Sequence, residues 1–187
     1  MITMRASLAM LATALVFAAE ATIAQDKGKT EAAELTKGSQ EALAKLNESA
    51  QLAKLLTPEA HAILVFPSVM KAGLGIGGQY GEGTLLKGGK AAAYYKTTGA
   101  SFGLQAGGQQ YGYAMFFMNE KALAELDSAK GFEVGVGPSI VMVDEGMAKT
   151  TNTNTLKDDI YAFVFGQKGL MAGLGIQGNK ITKIQPK

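Results

Sequence analysis

Two different spacings of apolar residues divide this chain. From Lys29 to Leu56 the apolar positions Leu35, Ala42, Leu43, Leu46, Ala50, Ala53 and Leu56 fall at helical spacing in an Ala-, Leu-, Glu- and Lys-rich background. This spacing predicts an amphipathic helix, with Gly38-Ser39 as its candidate interruption. Thr57-Pro58-Glu59 has the form of an N-cap followed by proline at the first helical position, which predicts a short helical turn before Ala62. Beyond that point the period shortens. Ala62–Phe66 reads as a short apolar strand ended by Pro67, and alternating, glycine-broken strands continue to Gly112.

Lys87-Gly88-Gly89-Lys90 predicts a tight hairpin, because both central glycines can adopt the positive φ of a type I′ turn. Tyr111–Met118 follows as a further strand, and its aromatic and methionine side chains (Tyr111, Tyr113, Met115, Phe116, Phe117, Met118) read as core rather than as a ligand groove. Asn119 is placed to cap a short helix, Glu120–Ser128, that stops before Gly131. Phe132–Val143 and Asp159–Phe165 read as strands, separated by the polar loop Lys149–Lys157. All but Gly28 and Gly38 of the 24 glycines lie between Gly73 and Gly178, where they mark bulges, turns and close backbone approaches. The string Ala72-Gly73-Leu74-Gly75-Ile76 recurs as Ala172-Gly173-Leu174-Gly175-Ile176, with Lys71 and Lys168 upstream of the two copies. Two copies are too few for a solenoid and read instead as strands in similar environments.

The first residues change the setting. Arg5, the apolar run Ala6–Ala19 and the small residues Ala19, Ala21, Thr22 and Ala24 form a secretory leader, here residues 1–24, leaving 25–187 as one exported domain, periplasmic or secreted. The run is short for a bilayer core of roughly 30 Å. With no cysteine, an exported chain has neither disulfides nor a lipidated cysteine, so its stability rests on its core, which the 47% hydrophobic content can supply. Formal net charge is +2, and removal of one Arg (Arg5) and one Glu (Glu20) leaves it unchanged. That balance argues against a nucleic-acid binder.

Several catalytic motifs are present in form and lack their chemistry. Gly73, Gly75 and Gly78, and again Gly173, Gly175 and Gly178, satisfy G-x-G-x-x-G. No helix-forming sequence follows either to hold a pyrophosphate, so no nucleotide cofactor is expected. Gly99-Ala100-Ser101-Phe102-Gly103 matches G-x-S-x-G, but the single histidine, His61, precedes the serine, whereas the histidine of that triad comes last. Lys96 leaves a Ser-Lys dyad formally open. One histidine and no cysteine make a poor transition-metal set, and Asn152, Asn154, Asp158 and Asp159 lack the glycine of a calcium loop.

What remains is positive charge on a glycine-rich sheet. Lys71, Lys87, Lys90 and Lys96 are the candidate lipid-binding residues, able to meet phosphate headgroups. At about 1 kcal/mol per lysine, four contribute roughly 4 kcal/mol, a millimolar affinity, so useful binding needs apolar insertion or a shaped pocket as well. For Lys87 and Lys90 the competing role is protection of a hairpin edge from aggregation.

Leu56-Thr57-Pro58-Glu59-Ala60, Ala62–Pro67, Lys71–Gly78, Tyr80-Gly81-Glu82-Gly83 and Gly99–Gln105 together resemble the SYLF domain, from about Ala33 to Ile184. The resemblance implies a non-catalytic phospholipid-binding module of the kind bacteria export as a stand-alone domain. The family is also associated with phosphoinositide-rich membranes and, in fungi, with actin, which an exported bacterial chain does not meet in its own cell. The expected fold is α+β: the N-terminal amphipathic helix packed on a strongly curved, mostly antiparallel sheet or partial barrel, with the short second helix at one end. The expected partners are anionic phospholipids at an envelope membrane. A structural or protein-interaction module with an envelope protein partner is the alternative.

Overall fold

A computed structural model describes residues 27–128, 131–143, 157–169 and 178–186, with backbone alone at 74, 75 and 101–106. The expected leader, the second glycine echo and all of the expected polar loop except Lys157 lie outside the described residues.

The fold is organised by one long hairpin. Strand β1 (Ala62–Lys87) pairs antiparallel with β2 (Lys90–Phe117), from Ala62↔Phe117 to Lys87↔Lys90, and the expected turn joins them with Gly88 at φ 54° and Gly89 at φ 77°. Where the sequence suggests a strand ended by Pro67 and then several short ones, the backbone runs on. Pro67 sits in an irregularity between Phe66 and Val69, one of the few places in a ladder that tolerates a missing N–H.

A straight hairpin of 26 residues per arm would extend roughly 85 Å and enclose nothing. It bends sharply at Gly73–Gly77, where the register shifts between Leu74 and Ile76 and a Cβ on Gly73 would lie 2.4 Å from the Gly77 Cα. Beyond the bend β1 returns against its own first half. A Cβ on Gly83 would stand 2.4 Å from the Val65 carbonyl oxygen, so only glycine fits at this crossing.

The remaining strands attach to the two arms of β2. On the arm before Phe117 lies β5 (Ile160–Gly169), antiparallel, with β4 (Ile140–Val143) parallel to it at the edge. On the other arm lies β6 (Lys180–Ile184), pairing Tyr94–Thr98, with the two-residue β3 (Phe132–Glu133) beyond. The result is a strongly curved, mostly antiparallel half-barrel in an α+β fold, as expected. The single strand expected over Phe132–Val143 is divided into β3 and β4 by a turn in which Gly135 (φ 96°) and Gly137 (φ 99°) take backbone conformations closed to most residues.

Strand alternation fills two cores. Leu64, Phe66, Val69, Tyr95, Tyr111, Tyr113, Met115 and Phe117 point into the half-barrel, joined by Ala122 and Leu126 of the short helix α3 (Glu120–Leu126). Ile63, Val65, Ala114, Phe116, Tyr161 and Phe163 point outward, under the N-terminal helices. The run from Tyr111 to Phe117 is apolar in both phases because each phase serves a different core. Phe116 and Phe163 meet edge to face at 5.1 Å.

Helix α1 occupies residues 27–49 and α2 Gln51–Leu56, burying Ala42, Leu43, Leu46, Ala50, Ala53 and Leu56 as their spacing predicts. The interruption falls at Ala50 (φ −125°), not at Gly38-Ser39. Those two small residues instead let the helix approach the sheet: Gly38 lies against the Pro67 ring, and the fully buried Ser39 hydroxyl donates to the Val65 carbonyl at 3.3 Å. Thr57 closes α2, its hydroxyl donating to the Ala53 carbonyl at 2.8 Å, and the short helical turn expected before Ala62 follows, with the Ala60 N–H donating to the Leu56 carbonyl at 3.0 Å. Asn119 caps α3 as expected, its side-chain oxygen accepting from the Ala122 N–H at 2.8 Å. Among the described residues no helix is long and apolar enough to cross a membrane.

Candidate functional site

The bent hairpin gives the half-barrel two unlike ends. At one, the turn Lys87–Lys90 comes beside α3, where Lys87 and His61 flank the same depression as Glu120 and Leu123. At the other lies the Gly73–Gly77 bend.

The turn end is internally satisfied. Gln40 of α1 donates to the Gly89 carbonyl at 2.8 Å, tying the hairpin to the helix. Asp127, at the end of α3, accepts from the Tyr95 hydroxyl at 2.6 Å and from Lys183 at 3.1 Å. The Tyr95 hydrogen bond, and secondarily Lys183, hold its carboxyl below the ordinary 3.8. Lys87 and Lys90 are exposed here and face each other across the turn.

The other two predicted lysines lie elsewhere. Lys96 is half-buried on the outer face, opposite Glu82. Lys71 is only 6% exposed, near the bend and opposite Gln109, in the same inward phase as Val69 and Tyr111. The structure therefore brings Lys87 and Lys90 together and separates Lys71 and Lys96 from them.

Outside the bend end, α1 and the sheet enclose a groove of about 530 Å³. Ala42, Leu46, Pro67 and Phe165 supply the apolar part of its lining, and Gly112 leaves the space that the Phe165 ring fills. Lys45 of α1 and Lys168 of β5 supply two ammonium groups at its margin, with Glu41 as the one acid. Gln110, also at the groove, is the register partner of both Lys168 and Met70, and Met70 is 60% exposed. Ile76, at the bend itself, is 69% exposed. Two cations, an apolar slot and neighbouring exposed aliphatic side chains match an amphiphile with an anionic head.

Sequence reading missed this groove. Lys45 carries a weak signal, lying on the polar margin of the helical stripe between Ala42 and Leu46. Lys168 is visible only as the lysine upstream of a repeated motif, and nothing in one dimension sets it beside Lys45.

The hydrolase reading finds no support in the geometry. Ser101 pairs with Gly77 at the bend, whereas His61 sits at the opposite end, its backbone N–H donating to the Phe117 carbonyl. Asp159, considered above for calcium, is engaged structurally. The Ser139 N–H at 3.0 Å, the Asn119 amide at 2.7 Å and the Ser139 hydroxyl at 3.1 Å all donate to it and hold its carboxyl below 3.8. Among the described residues no group of His, Asp and Glu is placed to hold a metal ion.

Comparison with curated proteins finds no match. A family model described as Ysc84, Las17-binding protein actin regulator, matches residues 98–186, which take in β2 from Thr98 onward, α3 and β3 to β6. This family is associated with lipid and actin binding and is one of binding modules rather than known enzymes. Over residues 98–186 the chain is therefore similar to the SYLF (Ysc84) family, the one that its strand and glycine motifs resemble.

Proposed function

We propose that this protein binds anionic phospholipid at an envelope membrane, without catalysis, and that the bend end of the half-barrel is the face that meets the membrane. The observation that carries the reading is the groove, with Lys45 and Lys168 beside its apolar lining and Met70 and Ile76 exposed nearby. The lipid association of the matched family supports it. Lys87 and Lys90 at the turn form a separate and weaker cationic surface that assists attraction to the membrane, while Lys96 lies apart from them opposite Glu82.

The magnitudes favour the groove over lysines alone. Two ammonium groups near an anionic surface contribute about 2 kcal/mol, and withdrawing two aliphatic side chains from water adds about 3–6 kcal/mol. The sum, about 5–8 kcal/mol, corresponds to an affinity between millimolar and micromolar. Co-sedimentation with phosphatidylcholine vesicles, with and without phosphatidylglycerol, across a salt series tests the reading. Binding that requires the anionic lipid and weakens with salt is expected. No binding, or binding indifferent to both variables, overturns it.

A further inference from the structure

We propose that the inner face of the bend end is a second, enclosed anion site, centred on Lys71 and suited to a phosphate-class oxyanion. It goes beyond the reading above and does not depend on it, since the groove lies on the other face and uses Lys45 and Lys168.

Lys71, Gln109 and Tyr111 share the inward phase of the two hairpin arms, and Gln79, beyond the bend, joins Tyr111 to Asn179. The Tyr111 hydroxyl donates to the Gln79 side-chain oxygen at 2.9 Å, and the Gln79 amide donates to the Asn179 side-chain oxygen. All five residues are at least nine-tenths buried. Such a polar layer in a barrel interior is stable only when its groups are partnered.

Here the layer is incomplete in a directed way. The Gln109 side-chain oxygen and the Asn179 side-chain nitrogen are buried with no hydrogen-bond partner. Among the described residues no carboxylate is paired with the Lys71 ammonium. Glu82, an acid on the same strand, lies opposite Lys96 and accepts from the Tyr80 hydroxyl instead. A half-turn of the Gln109 amide exchanges its oxygen for its nitrogen. The Lys71 and Gln109 nitrogens, from the two hairpin arms, and the Asn179 nitrogen, from the residue before β6, are then three donors with no competing carboxylate among the described residues, a set that selects an anion with several acceptor oxygens and repels a cation.

The shared chemistry is a phosphate group, carried by free phosphate or by a lipid headgroup. The first measurement is thermal unfolding of the full chain in inorganic phosphate against chloride at equal ionic strength. A rise in Tm specific to phosphate is expected in the wild type and in Lys54→Met, at an exposed lysine of α2 that neither cationic surface uses. In Lys71→Met the apparent phosphate affinity should fall by about tenfold or more, the loss of one charged hydrogen bond. Equal response to the two salts, or an unchanged response in Lys71→Met, overturns the proposal.

The second measurement needs no folded variant: amine acylation of the wild type, with Lys71 and Lys90 read separately by peptide mass spectrometry. Protection of Lys71 alone by inorganic phosphate assigns a free anion, and protection by phosphatidylglycerol vesicles but not by phosphate assigns a headgroup. Protection by neither overturns the site even where vesicle binding through the groove persists.

Discussion

Lys71 and Lys168, the two lysines upstream of the repeated Ala-Gly-Leu-Gly-Ile string, lie opposite adjacent residues of one strand and therefore on opposite faces of the sheet. Lys71 faces Gln109 within the half-barrel, and Lys168 faces Gln110 at the outer groove. The two lysines, one residue and four residues upstream of their strings, thus meet different surroundings, one buried and one open to solvent.

The groove lysines should dominate membrane binding. Replacing Lys45 and Lys168 together by Ala is expected to weaken association with phosphatidylglycerol vesicles by about 30-fold, from about 1 kcal/mol per charge. Lys87→Ala with Lys90→Ala should cause a smaller loss, because that surface has no apolar slot beside it. Co-sedimentation at low salt compares the two double variants.

Insertion of the bend end can be followed directly because the chain contains no tryptophan. Ile76→Trp places a single indole at a 69% exposed position, and its emission should shift to the blue when anionic vesicles are added. The same substitution at Val136, which is 62% exposed and lies in the turn between β3 and β4, should show no shift.

The self-crossing of β1 makes Gly83 intolerant of any side chain. Gly83→Ala sets a methyl group 2.4 Å from the Val65 carbonyl oxygen and 2.7 Å from the Phe66 ring, neither of which is a flexible side-chain end. A loss of about 2–3 kcal/mol is expected in denaturant unfolding, the upper range for overpacking. Asn119→Ala, which removes the α3 cap, should lose about 1 kcal/mol.

Acid stability follows from the depressed carboxyl of Asp127. Its folded value lies below 3.8, so unfolding takes up protons and stability falls as pH drops through the region below 3.8. Because its side chain is 52% exposed the effect is small, well under about 1 kcal/mol. Asp127→Asn should be less stable at neutral pH and should lose less on acidification. Above pH 10 the sign reverses. Burial pushes Tyr111 up to about 12, so the unfolded chain releases the proton first and stability declines as pH rises from 10 through 12. Urea midpoints across the pH range check both limbs.

Much of the fold was legible because local physics dictates it. The Gly88-Gly89 turn follows from backbone sterics, the cap at Asn119 from unpaired helix donors, and the α1 stripe from helical period. Readings that depended on glycine and proline as strand breakers failed. Pro67 and the glycines of β1 mark irregularities, a bend and a crossing within one continuous strand, and the same residue types serve both purposes.

The amino-acid order alone determined the helix-then-sheet pattern, the hairpin turn and the apolar surfaces, since each depends on neighbours a few residues apart. Tertiary structure alone decided that Lys45 and Lys168 share a groove, that Lys71 is enclosed while Lys87 and Lys90 stay exposed, and that Ser101 and His61 lie apart. The physical reason is the bend at Gly73–Gly77. Folding the hairpin back there sets which distant segments meet, and strand alternation then assigns each side chain to the enclosed face or the open one.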